Sequence, residues 1–451
     1  MHRSVIACVT LSLVATASRD GRAAAGTAFA ETSRVASLAD AVTARPGDAS
    51  TILLNPAGLA DLREGMIVVG GQGDYLSQWF QPTGAPSQDR SRGFGAFSFC
   101  AATPLPGPPW ARAISVGMAL DIPAQYLLHI NIPVRLDQPV SPMYDGPPDR
   151  LATVFAVGFK VLPRVEIGAG FALAPSLTLP TNVQYVAGHS QNVNDNVEVR
   201  LDDSLNLAAA PFVGLRVQPF DWLGLSVVYR DIQASQATAQ QMTTAGGIVS
   251  AETIDFFEMW DPASLVFGAY VAVSKRLSLS LDVAWHKWSD FRTGFDQTLC
   301  VGAACPPNSV SALPFNDTVS VASGVEMTLP RGLAVRGGIG VEPSPIPAQT
   351  GETNYLGGNT LVLALGAGLD FRRFAHLPFI IDAHVRARLD APESATKNAS
   401  ALPDSDPTLP GQQIDNLGYP GFRSQAFMLQ AGLSATFFLG GGASTSPRGV
   451  Q

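Results

Sequence analysis

The sequence predicts an all-β protein, an antiparallel transmembrane β-barrel of about fourteen strands with a short N-terminal plug inside its lumen. Three observations lead there. Segments of about ten residues alternate apolar with small or polar residues, the span that a tilted membrane strand needs. The connections between them fall into a short class and a long class. After the N-terminus, no segment stays apolar for the roughly 18 residues that a membrane-spanning helix requires. Composition agrees: 15% of residues are charged, and 43 glycines and 34 prolines favour strands and turns over helices.

The N-terminus comes first. His2 and Arg3 precede an uncharged apolar run, SVIACVTLSLVATA, and then small residues, the pattern of a secretory signal over residues 1–25. Cleavage is expected near Ala23, Ala24 and Ala25, with Ala15, Thr16 and Ala17 as the alternative. A signal followed by a barrel points to the outer membrane of a Gram-negative cell. Residues 26–64 do not alternate; they hold a short helical candidate at 33–42 and the stretch LLNPAGLADL. A barrel of this width leaves an open lumen unless something fills it, so this segment is the expected plug. The alternative is a disordered periplasmic leader, for which Leu53, Leu54 and Leu59 are too apolar.

The barrel is expected over residues 65–439. In 361–371, Leu361, Leu363, Leu365, Ala367, Leu369 and Phe371 share one face, and Val362, Ala364, Gly366, Gly368 and Asp370 the other. Leu277, Leu279, Leu281, Val283 and Trp285 likewise oppose Ser278, Ser280, Asp282, Ala284 and His286. Further on, Phe379, Ile381, Ala383, Val385 and Leu389 oppose Asp382, His384, Arg386 and Arg388. A soluble sandwich would carry Lys and Glu on its outer face. An aliphatic face opposite a small, partly polar one fits lipid outside and a lumen inside. Six short joints lie at 104–110, 162–164, 218–222, 274–276, 329–331 and 372–378. Seven long loops lie at 77–92, 122–150, 177–203, 232–262, 289–317, 343–358 and 391–423. That pattern gives fourteen strands with both termini in the periplasm. Trp222, Trp260, Trp285, Trp288 and Phe371 fall near strand ends, where aromatic girdles form. Residues 440–451 follow the last strand as a tail.

Four cysteines add little chemistry. Cys8 leaves with the signal, and Cys100 is a small strand residue. Cys300 and Cys305 lie close together in a loop, which in an oxidising compartment suggests a local disulfide. No histidine stands near them, so neither a metal nor a cofactor is expected. His129, His189, His286, His376 and His384 show no paired Ser or Asp motif, and no enzyme is read from them. The formal charge of -8 argues against nucleic acid as a partner.

Four stretches carry a resemblance: Asn55-Pro56-Ala57, FEMWDPASLVFGAYV from Phe257, VAWHKWSDF from Val283, and LAVRGGIGVEPSPIPAQ from Leu333. Here the chain resembles the FadL/TodX family of outer-membrane transporters for long-chain fatty acids and aromatic hydrocarbons. The resemblance spans essentially the mature chain, and EPSPIPA from Glu342 is its most specific run. It implies a fourteen-stranded barrel, a plug called the hatch, and a kinked third strand that opens a lateral gap. Hydrophobic compounds would pass by passive, hatch-gated lateral diffusion. The implied partners are a hydrophobic small molecule and outer-membrane lipid and lipopolysaccharide, around a monomer.

Residue by residue, the resemblance marks Asn55, Pro56 and Ala57 as the hatch motif. It places the third strand at 114–122, with Gly117, Asp121 and Pro123 as candidates for the lateral opening; Pro123 reads equally as the start of a loop. Tyr126, Leu127, Leu128 and Ile130 are candidates for an outer hydrophobic groove, or else fold back onto the barrel rim. Arg336, Asp382, His384, Arg386 and Arg388 are candidate lumen polar residues. Two departures stand out. The fifth strand, FALAPSLTL, lacks the basic residue that the family commonly offers a carboxylate, and Leu177 falls near that position. Arg336, Arg386 and Arg388 either substitute for it or form ordinary lumen salt bridges, so neutral substrates are favoured slightly. The chain also continues past Phe437, Phe438 and Leu439 where many barrels end on an aromatic residue. A general porin or a purely structural barrel is the alternative function.

Overall fold

In the computed structural model, residues 32–45, 49–52, 54–125, 137–145, 151–185, 197–201, 204–245, 248–291, 295–301, 313–402 and 416–439 are described. Fourteen strands close into one antiparallel barrel. The first seven are β1 (Gly65–Pro82), β2 (Arg92–Pro104), β3 (Ile114–Pro123), β4 (Ala152–Leu162), β5 (Val165–Tyr185), β6 (Ser204–Phe220) and β7 (Leu223–Arg230). The rest are β8 (Ser264–Ala272), β9 (Leu277–His286), β10 (Thr318–Thr328), β11 (Leu333–Glu342), β12 (Thr360–Asp370), β13 (Phe379–Asp390) and β14 (Gly421–Leu439). Each pairs with its sequence neighbours. β14 returns to β1 in an unbroken register from Gly65↔Leu439 to Pro82↔Phe422. Closure leaves no unpaired edge in lipid, where each bare backbone group would be costly.

Period-two alternation sets the facing. Leu361, Leu363 and Leu365 are exposed on the outer surface, with Leu365 70% exposed, while Val362 and Ala364 are buried. Leu429, Leu433 and Phe437 point out, and Met428, Gln430, Ser434 and Thr436 point in. At the periplasmic ends, Phe220 stacks on Trp222 and Phe371 on Phe379. Trp110, in the turn between β2 and β3, is 69% exposed.

The structure corrects part of the loop reading. β1 runs on to Pro82 and β5 to Tyr185, through stretches expected to be loop. Within the expected loop 232–262 lie two paired strands, Gln233–Ala245 and Ile248–Asp261, and Phe295–Val301 pairs with the second of them. Gln233–Ala245 also runs parallel to the upper part of β5, with Ala237 opposite Leu177. Backbone groups need partners above the membrane as well as within it, and these strands supply them through their ladders. Trp260 and Trp288 are likewise not girdle residues. Trp288 is 1% exposed in a cluster with Phe291, Phe315 and Tyr355, against which Trp260 packs. Large aromatic surface is better buried in a loop core than left in water.

Candidate functional site

The described residues 32–62 pack against the inward face of the wall. Ser33–Ala36 is one helical turn, and Pro56–Asp61 is a 3-10 turn capped by Asn55. Asn55 is 1% exposed. Its Oδ1 accepts from the Ala57 N–H at 3.0 Å, and its Nδ2 donates to the Thr43 carbonyl at 2.7 Å. Pro56 follows at the first helical position, where its missing N–H costs nothing. Asn55 thus ties two halves of the segment together.

Charged side chains tether this segment around the wall. Glu326 on β10 faces Arg34 at 3.3 Å, Arg45 at 3.0 Å and Arg336 at 2.6 Å, and Arg336 reaches Asp382 at 2.6 Å. Arg386 pairs with Asp40, and Arg388 pairs with Glu342. Asp282 accepts from the N–H groups of Val42 and Thr43 and from the Thr43 hydroxyl. On the opposite wall, Asp61 meets Lys160 at 2.8 Å and Arg216 at 3.3 Å. Burial opposes ionisation of Asp61, but these two cations hold its carboxyl below the ordinary carboxylate range. Of the candidate lumen residues, Arg336, Asp382, Arg386 and Arg388 are therefore in salt bridges, and His384 is buried beside Gly432. The sequence reading put Asp282 on the inward face without giving it a role, and did not name Glu326, Lys160, Glu166 or Arg216. Each is an isolated charge at an inward position of an alternating strand, which is the signal that could have found them.

Above this segment lies a cavity of about 170 Å³. Val35, Ala39 and Leu54 form part of its floor, Val154, Ala172 and Phe212 an apolar wall, and Arg230, Asp282 and His286 a polar one. Arg230 supplies a cation that sequence reading did not place; its guanidinium donates to the Leu54 carbonyl. Loops roof the mouth. Pro139 and Val140 pair with Asn354 and Tyr355, Tyr144 donates to Asp390 at 2.8 Å, and Ser344 of the EPSPIPA run donates to the Gly357 carbonyl at 2.5 Å. Tyr126, Leu127, Leu128, Ile130 and Cys305 lie outside the described residues, so the outer groove and the disulfide remain sequence expectations. Cys300 falls in the strand Phe295–Val301.

The apolar wall of the cavity continues into a cluster of Ile52, Leu59, Leu62, Val68, Cys100, Ala119, Val154 and Phe212. This cluster lies directly behind β3. The β3 ladder is unbroken on both sides, from Ala96↔Pro123 to Pro104↔Ser115 and from Ile114↔Phe159 to Asp121↔Ala152. Pro123 is its last residue, and Asp121 faces the cavity. At Gly117 a Cβ would lie 2.6 Å from Ile52 Cδ1, so glycine is what lets this side chain reach the wall. On the outer side of the same strand is an apolar groove of about 330 Å³, bounded by Ile67, Ala101, Val116, Met118 and Phe155.

The family profile described as outer membrane protein transport protein (OMPP1/FadL/TodX) matches residues 150–384, just over half of the chain. The chain belongs to this family. No curated protein sequence matches it. Among solved structures it is similar to a Pseudomonas aeruginosa FadL homologue, at 14% identity and a TM-score of 0.60, covering 93% of this chain and 99% of that one. It is also similar to the CymD monoaromatic hydrocarbon channel, at 12% identity and a TM-score of 0.52, covering 91% of this chain and 97% of that one. At such identities the likeness shows a shared fold. Membership of the FadL/TodX family establishes a Gram-negative outer-membrane transport channel for hydrophobic compounds, and not an enzyme.

Proposed function

We propose that this channel admits small hydrophobic molecules into the lumen cavity and releases them sideways through the wall at β3 when residues 49–62 of the hatch move and the β3 ladder, closed in this structure, parts at Gly117. One observation carries the reading: an apolar path from Phe212 and Val154 to Ile52, separated from the outer groove by the backbone at Gly117. Water excludes hydrophobic solutes, so a route through apolar surface into lipid avoids the penalty an aqueous channel imposes. The cavity also fits a small occupant, since an apolar void of about 150 Å³ suffices for benzene. Arg230, the arginine among the described cavity-lining residues, already donates to Leu54. That favours neutral alkylbenzenes over carboxylates. A general porin needs an open aqueous lumen, and the tethered residues 32–62 stand against one.

A reversible lock tests the gating. Ile52→Cys with Gly117→Cys, in a Cys100→Ala background, places two thiols at the contact between hatch and wall. Cells expressing the pair should lose uptake of a labelled alkylbenzene when oxidised and recover it on reduction. Equal uptake in both states would remove the gate, and wild-type uptake of neither alkylbenzene nor fatty acid would remove the substrate class.

A further inference from the structure

The groove outside β3 is a dent in an otherwise bulky lipid-facing row. Ile67, Ala101, Met118 and Phe155 are direct neighbours across four successive strands, Ile67↔Ala101, Ala101↔Met118 and Met118↔Phe155. Three of the four are large, and the fourth is alanine. Its side chain ends where its neighbours continue outward, and Val116 and Leu439 close the flanks. Almost none of the lining is polar: Thr103 is the one hydroxyl among residues that otherwise offer carbon, sulfur and backbone.

Its height in the membrane follows from the strands. Ile67 is the third residue of β1, Ala101 stands three residues before the end of β2, and Leu439 ends β14. At about 3.3 Å per residue along a tilted strand, the groove lies on the order of 10 Å from the periplasmic rim of an apolar band about 25 Å tall. Trp110, exposed in the turn just below, marks that rim. The groove therefore opens into the periplasmic leaflet, which is phospholipid, and is continuous with the lipid interface on either side.

We infer that this groove seats an acyl chain of a periplasmic-leaflet phospholipid. An empty apolar dent of this size cannot persist in a bilayer, because hydrocarbon fills it at no desolvation cost and gains dispersion contacts on three sides. A flexible chain suits it better than a rigid ring, since the dent crosses four strands whose side chains differ in length. The occupant holds the bilayer side of the wall at the point where Ile52 holds the lumen side. The inference needs the membrane placement alone and stands whether or not solute leaves here.

The test uses the full protein in vesicles containing phosphatidylethanolamine with a diazirine midway along one acyl chain. After photolysis, peptide mass spectrometry should find adducts at Met118 and Phe155 several-fold above those at Val325 and Val335, which face lipid at a similar height on the opposite wall. Ala101→Phe, or Ala101→Ile should the first variant fold poorly, fills the dent and should bring both walls level. Equal labelling of the two walls in the wild type, or an excess that survives both substitutions, would overturn the site. Neither outcome bears on uptake, so the transport reading succeeds or fails separately.

Discussion

Leu365 and Gly366 are adjacent in sequence and answer to different neighbours. Leu365 lies midway along β12 and is 70% exposed on the lipid face. Leu365→Arg should destabilise the barrel by about 2–4 kcal/mol, as a cation does near the bilayer midplane, measured by urea titration in lipid vesicles. From sequence, Gly366 is a plain lumen position where serine should be mild. The structure overturns this, because a Cβ at Gly366 would lie 2.4 Å from Ser37 Cβ and 2.7 Å from the Ala383 carbonyl. Gly366→Ser therefore disturbs the docked hatch, and Ala322→Ser, facing the cavity, is the better inward control. If Leu365→Arg and Ala322→Ser titrate alike, the facing of β12 is wrong.

At the scale of elements, charge holds residues 32–62 on both walls, and apolar packing joins it on the β2 to β6 side. Glu326 gathers three arginines, two from the hatch and one from β11. Its side chain is 14% exposed, so Glu326→Gln leaves Arg34 and Arg45 short of a counter-charge in a mostly buried site. Breaking such a contact typically costs about 3 kcal/mol. We expect faster amide hydrogen exchange over residues 32–45 with unchanged exchange in the β9 to β11 ladders; a uniform change across the barrel would show that Glu326 supports the wall instead. The strands themselves were legible in the sequence because alternation is a local property. Leu277 to Trp285 announces its two faces without reference to any neighbour. The hatch contacts were not, since Asp282 meets Val42 across 240 positions of chain and nothing local in either segment signals the other. The height of the extracellular strands also escaped, because Gln233–Ala245 is held by backbone pairing with β5, a partner far away in sequence.

Across the whole molecule the lumen has two unlike halves. Along β2 to β6 the inward positions are mostly small or apolar, as at Ala96, Cys100, Ala119, Val154 and Phe212. Along β9 to β14 they carry Asp282, Glu326, Arg336, Asp382, Arg386 and Gln430. The polar half can anchor residues 32–62 while the apolar half lines the proposed path, and this segment must sit close to both. Glycines permit this. A Cβ at Gly168 on β5 would stand 2.3 Å from the Pro56 carbonyl carbon, and one at Gly338 on β11 would stand 2.4 Å from that of Leu38. These are backbone atoms, which cannot swing aside as a side chain can, so any larger residue must push the hatch off its seat. Gly168→Val and Gly338→Val should therefore leave a folded barrel whose residues 32–62 are open to protease. Single-channel conductance should rise as the lumen clears. Gly73→Ala, where a Cβ meets nothing within 4 Å, serves as the control and should match the wild type. Folded Gly168→Val and Gly338→Val barrels with wild-type conductance and a protected N-terminal segment would mean that the close approach is incidental, and that the ion pairs alone seat the hatch.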